Sequence, residues 1–157
     1  DVVTALNTDV DAVWVYYAWD GIATKVKGVE TDFFAFKDIN PVLDYYSPIL
    51  IANNEFLKNN KEEAKAFLKA VAKGYEYAID NPEEAANILV EANPELDKDL
   101  VQESQVWLSD QYKAEVSQWG YIDQERWDAF YSWLAEEDLI EKEIPKGFGF
   151  TNDYLPD

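Results

Sequence analysis

Residues Tyr16-Tyr17-Ala18-Trp19-Asp20 place three aromatic rings and a carboxylate within five consecutive positions. Those residue types suit the capture of a flat, nitrogen-bearing ligand. A ring stacks on Trp or Tyr, which is worth about 0.5–1.5 kcal/mol beyond area burial. The carboxylate accepts from an exocyclic amine or a ring N–H, a bond to a charged acceptor worth about 1.5–3 kcal/mol. The same residues also have a plainer use, with Asp20 capping a helix that starts at Gly21 and the rings filling core. A second group, Asp44-Tyr45-Tyr46-Ser47-Pro48, adds two more rings. On a strand they point to opposite faces, so one can be core while the other faces a cleft; the ordinary β-propensity of Tyr explains them equally well.

Other chemistries lack their residues. The chain contains no His and no Cys, so Ser-His and Cys-His nucleophilic schemes cannot be assembled from it, and there is no disulfide framework. The acidic groups Glu62-Glu63, Glu83-Glu84 and Glu136-Glu137-Asp138 fall at helix ends or exposed faces, without the spacing of a calcium loop. Neither a metal nor a cofactor is expected. Two carboxylates from different loops can meet in space for glycoside hydrolysis, but nothing in the order of residues marks such a pair.

The balance of 32 acidic to 13 basic residues gives a formal charge of -19. Such a field repels phosphate backbones and anionic lipid, so nucleic acid and a membrane surface are not expected partners. At 48% hydrophobic and 15% aromatic, the chain is nevertheless equipped for a packed interior rather than a disordered acidic tail. No apolar run approaches the ~20 residues of a membrane span. With no Met, residue 1 is not a retained start, and a signal peptide or lipid-anchor Cys is expected upstream.

The elements that must position these groups divide into an early strand-bearing part and a later helical block. Residues 13–17, 33–36 and 45–53 read as strands, the last with Pro48 placing it at an edge or a crossing point. On the first, Trp14 and Tyr16 share one face while Val13, Val15 and Tyr17 share the other. Asp20-Gly21 opens a brief helix over 22–26, closed by Gly28. Ligands of open α/β sheets sit beyond the carboxyl ends of strands, which is where Trp19 and Asp20 fall.

Beyond Asn53 the pattern turns helical. Asn60-Lys-Glu-Glu63 reads as a capping box, followed by Ala64, Phe67, Leu68, Val71, Tyr75, Ala78 and Ile79 as one apolar stripe. Asn81-Pro-Glu-Glu84 opens the next helix, with Ala85, Ala86, Leu89 and Ala92 following, and Asn93-Pro94 ends it. Asp97 caps a helix carrying Leu100, Val101, Ser104, Trp107 and Leu108, and Asp123 starts one carrying Trp127, Phe130, Tyr131 and Leu134. The turn-rich tail offers Phe148, Phe150 and Tyr154 as anchors. Three short strands make no free-standing sheet with protected edges, so the chain reads as part of an α/β protein.

In this order, VDAVWVYYAWDGI, DYYSPILIANNEFLKNN and FLKAVAKGYEYAIDNPEEAANIL resemble the carboxyl-terminal half of ABC-transporter solute-binding proteins. The resemblance is to the thiamine-pyrimidine-precursor binders, relatives of the alkanesulfonate and nitrate binders, and it extends from about residue 5 to residue 155. It implies a partial periplasmic-binding-protein-like (type II) two-lobed α/β fold, helix-rich in this portion, with a ligand cleft at the hinge. Residues 1–40 would be the end of the second lobe and the hinge approach. Residues 41–157 would be the returning hinge strand and the helical carboxyl-terminal part of the first lobe.

The resemblance nominates Tyr17, Trp19 and Asp20 as ligand-binding groups, with Tyr45 or Tyr46 as a second ring. The family pattern more often carries Glu where this chain has Asp20, which is one methylene shorter. An acid among aromatics favours a flat amine-bearing heterocycle over a sulfonate or nitrate. The function implied is a non-enzymatic, extracellular or periplasmic solute-binding component, anchored through an upstream lipid-modified segment and serving an ABC transporter permease. Alternatives are an alkanesulfonate or nitrate-type binder, a pyrimidine synthase on the same fold, dependent on pyridoxal phosphate and on a His from elsewhere, and a purely helical interaction module in which the strands are misread. Apolar faces left uncovered in a partial fold predict a homodimer by swapping or packing, or an exposed hydrophobic patch.

Overall fold

Helices form in the computed structural model, which describes residues 2–156, wherever the sequence supplies a start and a stop. They are α1 (Val2–Leu6), α2 (Ile22–Val26), α3 (Phe36–Ile39), α4 (Asn54–Asn59), α5 (Lys61–Asp80), α6 (Pro82–Ala92), α7 (Lys98–Ser109) and α8 (Gln124–Glu136). A π-helical turn at Tyr17–Gly21 precedes α2, and a 3-10 turn at Pro41–Leu43 follows α3. Asn53 caps α4 by accepting from the amides of Glu55 and Phe56, Asp97 caps α7 through Asp99 and Leu100, and Asp123 caps α8 through Arg126. Gly28 closes α2 at a φ of 67°, in the left-handed region that Gly enters without a Cβ penalty. No helix is long and apolar enough to cross a membrane among the described residues.

The Asn residues expected to open α5 and α6 do something else. The Nδ2 group of Asn60 donates to the carbonyl of Phe56 (3.2 Å), that of Asn81 to Tyr77 (3.2 Å) and that of Asn93 to Leu89 (3.1 Å). Each backbone amide reaches the same carbonyl as its own side chain. These Asn residues therefore finish the helix before them. The physical reason is that a carbonyl oxygen has two lone pairs: the backbone amide of the Asn takes one, and its side-chain amide is short enough to reach back to the other.

No β-strand forms among the described residues, which corrects the strands expected over 13–17, 33–36 and 45–53 and leaves this chain helix-rich. Extended backbone is present within or beside those runs, with φ/ψ of -85°/111° at Tyr16, -89°/139° at Ala35 and -72°/133° at Asn53. What is missing is a partner. A strand exists only where a neighbouring segment exchanges main-chain hydrogen bonds with it, and no described segment makes such a ladder with these. Several of their side chains stay in solvent: Trp14, Phe34, Leu50 and Ile51 are all more than half exposed.

The chain divides into two compact units, Asp1–Phe33 with Lys73–Trp119, and Phe34–Ala72 with Gly120–Asp157. In the first, α7 turns buried Leu100 onto Ile22 and Ala23 of α2, with Tyr17, Val26 and Trp107 packed around them. The helix α6 lies along α7, burying Ala86, and Gln105 Nε2 donates to the Ala78 carbonyl. Tyr75 is stacked on Trp119 at 4.6 Å and meets Tyr112 edge-on at 4.9 Å.

The second unit gathers on α8. Trp127 is buried against Tyr131 and Phe150, and its indole N–H donates to the Phe148 carbonyl at 3.0 Å. Asn152 exchanges two hydrogen bonds with the backbone of Ile122. Two expected inward residues lie outward instead: Phe148 is 65% exposed and serves through its backbone, and Phe67 on α5 is 59% exposed.

Candidate functional site

Asp20 and Trp19 ride on the π-helical turn. The Ile22 amide donates to the Tyr17 carbonyl five residues back, and the amides of Trp19 and Asp20 both reach the Tyr16 carbonyl. Such turns hold one residue more than an α-turn, are rare, and concentrate at functional sites. Tyr17, at the start, packs inward, its ring centroid 4.4 Å from Phe33 and 5.2 Å from Trp107. Gly21 is required by that packing: a Cβ at this position would stand 2.5 Å from Tyr17 Cδ2. Ser104, buried on α7, donates its hydroxyl to the Ala18 carbonyl, and Thr24 donates to the Gly21 carbonyl at 2.8 Å.

The consequence is a turn pinned from beneath with its tip outward. Trp19 is 42% exposed. Asp20 is half-buried, and its carboxylate makes no hydrogen bond or ion pair within the described residues. Neither the π-turn nor α2 has a side-chain cap, so helix capping does not account for Asp20. Nearby, Trp14 and Tyr16 lie 5.2 Å apart, both mostly exposed.

Tyr45 and Tyr46 lie in the second unit and are held differently. The guanidinium of Arg126 sits 4.3 Å over the Tyr46 ring and pairs with Asp44 Oδ1 at 2.9 Å, while its Nε donates to the Asp44 carbonyl. The Tyr46 hydroxyl accepts from the Asp123 amide at 2.9 Å. That ring is engaged on its face and at its tip in fixing residues 44–46 to the start of α8. Tyr45 stacks on Phe130 at 4.5 Å and 22° and is 38% exposed. Between these rings and Trp127 lies a cavity of about 30 Å³, room for a water and no more. A wider groove of about 770 Å³ runs along α8 past Val42, Asp128, Trp133 and Lys146.

Tyr17, Trp19 and Asp20 thus share one turn in the first unit, and Tyr45 and Tyr46 share one loop in the second. Sequence reasoning missed the supporting residues. Ser104 stood among the inward positions of α7, and a hydroxyl in an apolar stripe was the available signal. Arg126, three residues after the Asp123 cap, carried no signal of its own. Among the described residues no group of three or more carboxylates is arranged to hold a metal ion. The Tyr112 hydroxyl is pushed up from its ordinary pKa by burial and, less strongly, by Tyr75; Tyr77 is raised mainly by its hydrogen bond with Glu84.

Comparison with known proteins places these features in a family. Residues 1–85 match the family described as NMT1/THI5 like. The chain is 32% identical over 132 residues to the formylaminopyrimidine-binding protein of Halalkalibacterium halodurans, covering 82% of this chain and 40% of that protein. It is 38% identical over 52 residues to the 4-amino-5-hydroxymethyl-2-methylpyrimidine phosphate synthase THI5 of Saccharomyces cerevisiae, covering 33% of this chain and 15% of that enzyme. The chain spans about two fifths of the length of the bacterial relative. The family match covers more than half of the chain and takes in the whole π-turn with its Trp19–Asp20 tip: this chain belongs to the NMT1/THI5-like family.

Proposed function

We propose that this chain is part of a solute-binding component of an ABC importer, and that the solute is a thiamine-related pyrimidine or a similar flat, amine-bearing heterocycle. The observation that carries the reading is the π-turn, which presents an exposed indole beside a carboxylate with no partner among the described residues. An aminopyrimidine has a face for the first and N–H donors for the second. The likeness to a formylaminopyrimidine-binding protein supports the same ligand class. Tyr45, with one face on Phe130 and partial exposure, would offer the second ring; Tyr46 would support the loop.

On this reading the fold is periplasmic-binding-protein-like and two-lobed. Residues 1–40 end the second lobe, residues 41–157 return through the hinge into the first, and closure on the ligand is a hinge motion. The protein works outside the cytoplasm with a permease as partner, held at the membrane by a lipid-modified segment, and it binds without catalysing.

The test is calorimetry on the intact protein with 4-aminopyrimidines, alkanesulfonates and nitrate. Binding confined to the aminopyrimidines is expected. Binding of the oxyanions alone would rule out the ligand class, and turnover of bound pyridoxal phosphate into a pyrimidine would replace the transport reading with a synthase.

A further inference from the structure

We propose that Ser104 is a positioning residue for the Trp19–Asp20 pair, holding residues 17–21 in the π-helical register that decides where those two side chains point. The proposal rests on reading Trp19 and Asp20 as ligand groups, and it adds a residue from a distant part of the chain to that site.

Ser104 is 4% exposed on a helix face otherwise built from Leu100, Val101 and Trp107. A hydroxyl in such a place is unfavourable unless it is hydrogen-bonded. A helical Ser ordinarily meets that need by bonding the carbonyl one turn back in its own helix. Ser104 instead crosses to another element and donates to the carbonyl of Ala18, inside the π-turn. The turn is anchored at both ends: Tyr17 lies against Phe33 and Trp107, and Ile22 and Ala23 lie in the core. Between those anchors the backbone carries one residue more than α-geometry accommodates.

The register follows from helix geometry. Each residue of an α-helix advances about 100° and 1.5 Å. Relaxing the turn to α-geometry would rotate Trp19 and Asp20 by up to that amount relative to α2, enough to separate an indole from a carboxylate that must meet one ligand. The Ser104 bond is made at the middle of the turn, where the anchors do not reach. Thr24 braces the Gly21 carbonyl from only three residues away in the same segment, so it cannot tie the turn to α7.

A pair of variants of equal shape tests this in the intact protein. Ser104→Thr keeps the hydroxyl and Ser104→Val removes it; Ser104→Ala carries the test alone should the added methyls prevent folding. Affinity for a 4-aminopyrimidine is measured by calorimetry, and Trp19 emission is isolated by subtracting the spectrum of the same variant carrying Trp19→Phe. Expected are a loss of affinity of tenfold or more and a shifted Trp19 emission in the Val and Ala variants, with both restored in the Thr variant. Val and Ala variants that melt earlier but keep native affinity and native Trp19 emission would overturn the proposal and leave Ser104 a core residue. An Asp20→Asn control that binds normally places a failure of the affinity arm in the ligand reading, while the Trp19 emission still decides the register.

Discussion

The carboxylate of Asp20 is half-buried at the tip of a turn whose hydrogen bonds are made by backbone and by Ser104 and Thr24. Removing its charge should therefore leave the fold alone and change only what a ligand feels. Asp20→Asn is expected to weaken an aminopyrimidine by about 1.5–3 kcal/mol, roughly 10- to 150-fold, while denaturant midpoints stay within the ~0.5 kcal/mol of an ordinary surface change. Equal affinity by calorimetry would return Asp20 to a passive surface role. Gly21 gives the opposite pattern. Its φ of -65° suits any residue, so the constraint is the Tyr17 ring, which Phe33 and Trp107 prevent from moving aside. Gly21→Ala should cost about 1–3 kcal/mol in urea denaturation, as overpacking does.

Caps fix where the helices begin and end. Asp97 satisfies two first-turn amides of α7, the helix that carries both Leu100 and Ser104. Asp97→Ala should lower stability by about 1 kcal/mol, read by chemical denaturation, and should loosen the support of the π-turn with it. The same unit predicts a pH response. Burial and, less strongly, the neighbouring Tyr75 raise the pKa of Tyr112 in the fold, where its hydroxyl donates to Gln105 Oε1 at 3.0 Å. A raised pKa means the folded state holds its proton more tightly than the unfolded chain. Stability is thus intact below pH 10 and is lost as the pH climbs through the folded-state value. Denaturation of the first unit above pH 10 should show that slope, and Tyr112→Phe should flatten it; an unchanged slope would assign the effect to other tyrosines.

Across the whole chain, charge and uncovered apolar surface oppose each other. Ile51 at 88% exposure, Ile39 at 67% and Trp14 at 61% invite association, while a formal charge of -19 resists it. At 0.1 M salt that repulsion is screened beyond about 10 Å. Sedimentation of the chain alone should therefore show self-association that grows with salt and as the pH falls toward its pI of about 4.1. Loss of that trend in an Ile51→Lys variant would identify the run around residues 49–51 as the contact. We propose that in the longer protein these runs are covered by strands from the remainder of the fold, which fits a chain that spans about two fifths of its bacterial relative.

The helical block was legible because its signals are local. Asp97 and Asp123 cap from the position next to their helices, Gly28 and Asn93-Pro94 stop theirs, and the α7 stripe of Leu100, Val101, Ser104, Trp107 and Leu108 is a one-turn periodicity. The same local signals located the YYAWD segment, leaving open whether its acid caps a helix or meets a ligand. They could not tell an extended run from a paired strand, since pairing belongs to two segments at once, and the apolar alternation of residues 13–17 is the same in either state. Nor could they say whether Asn60 serves the helix before it or the one after, because both ends are a single residue away. Only tertiary structure decided that Ser104, 86 residues from Ala18, donates its hydroxyl into the π-turn. A hydrogen bond between elements so distant in sequence depends on how α2 and α7 pack, and packing is set by the fold as a whole.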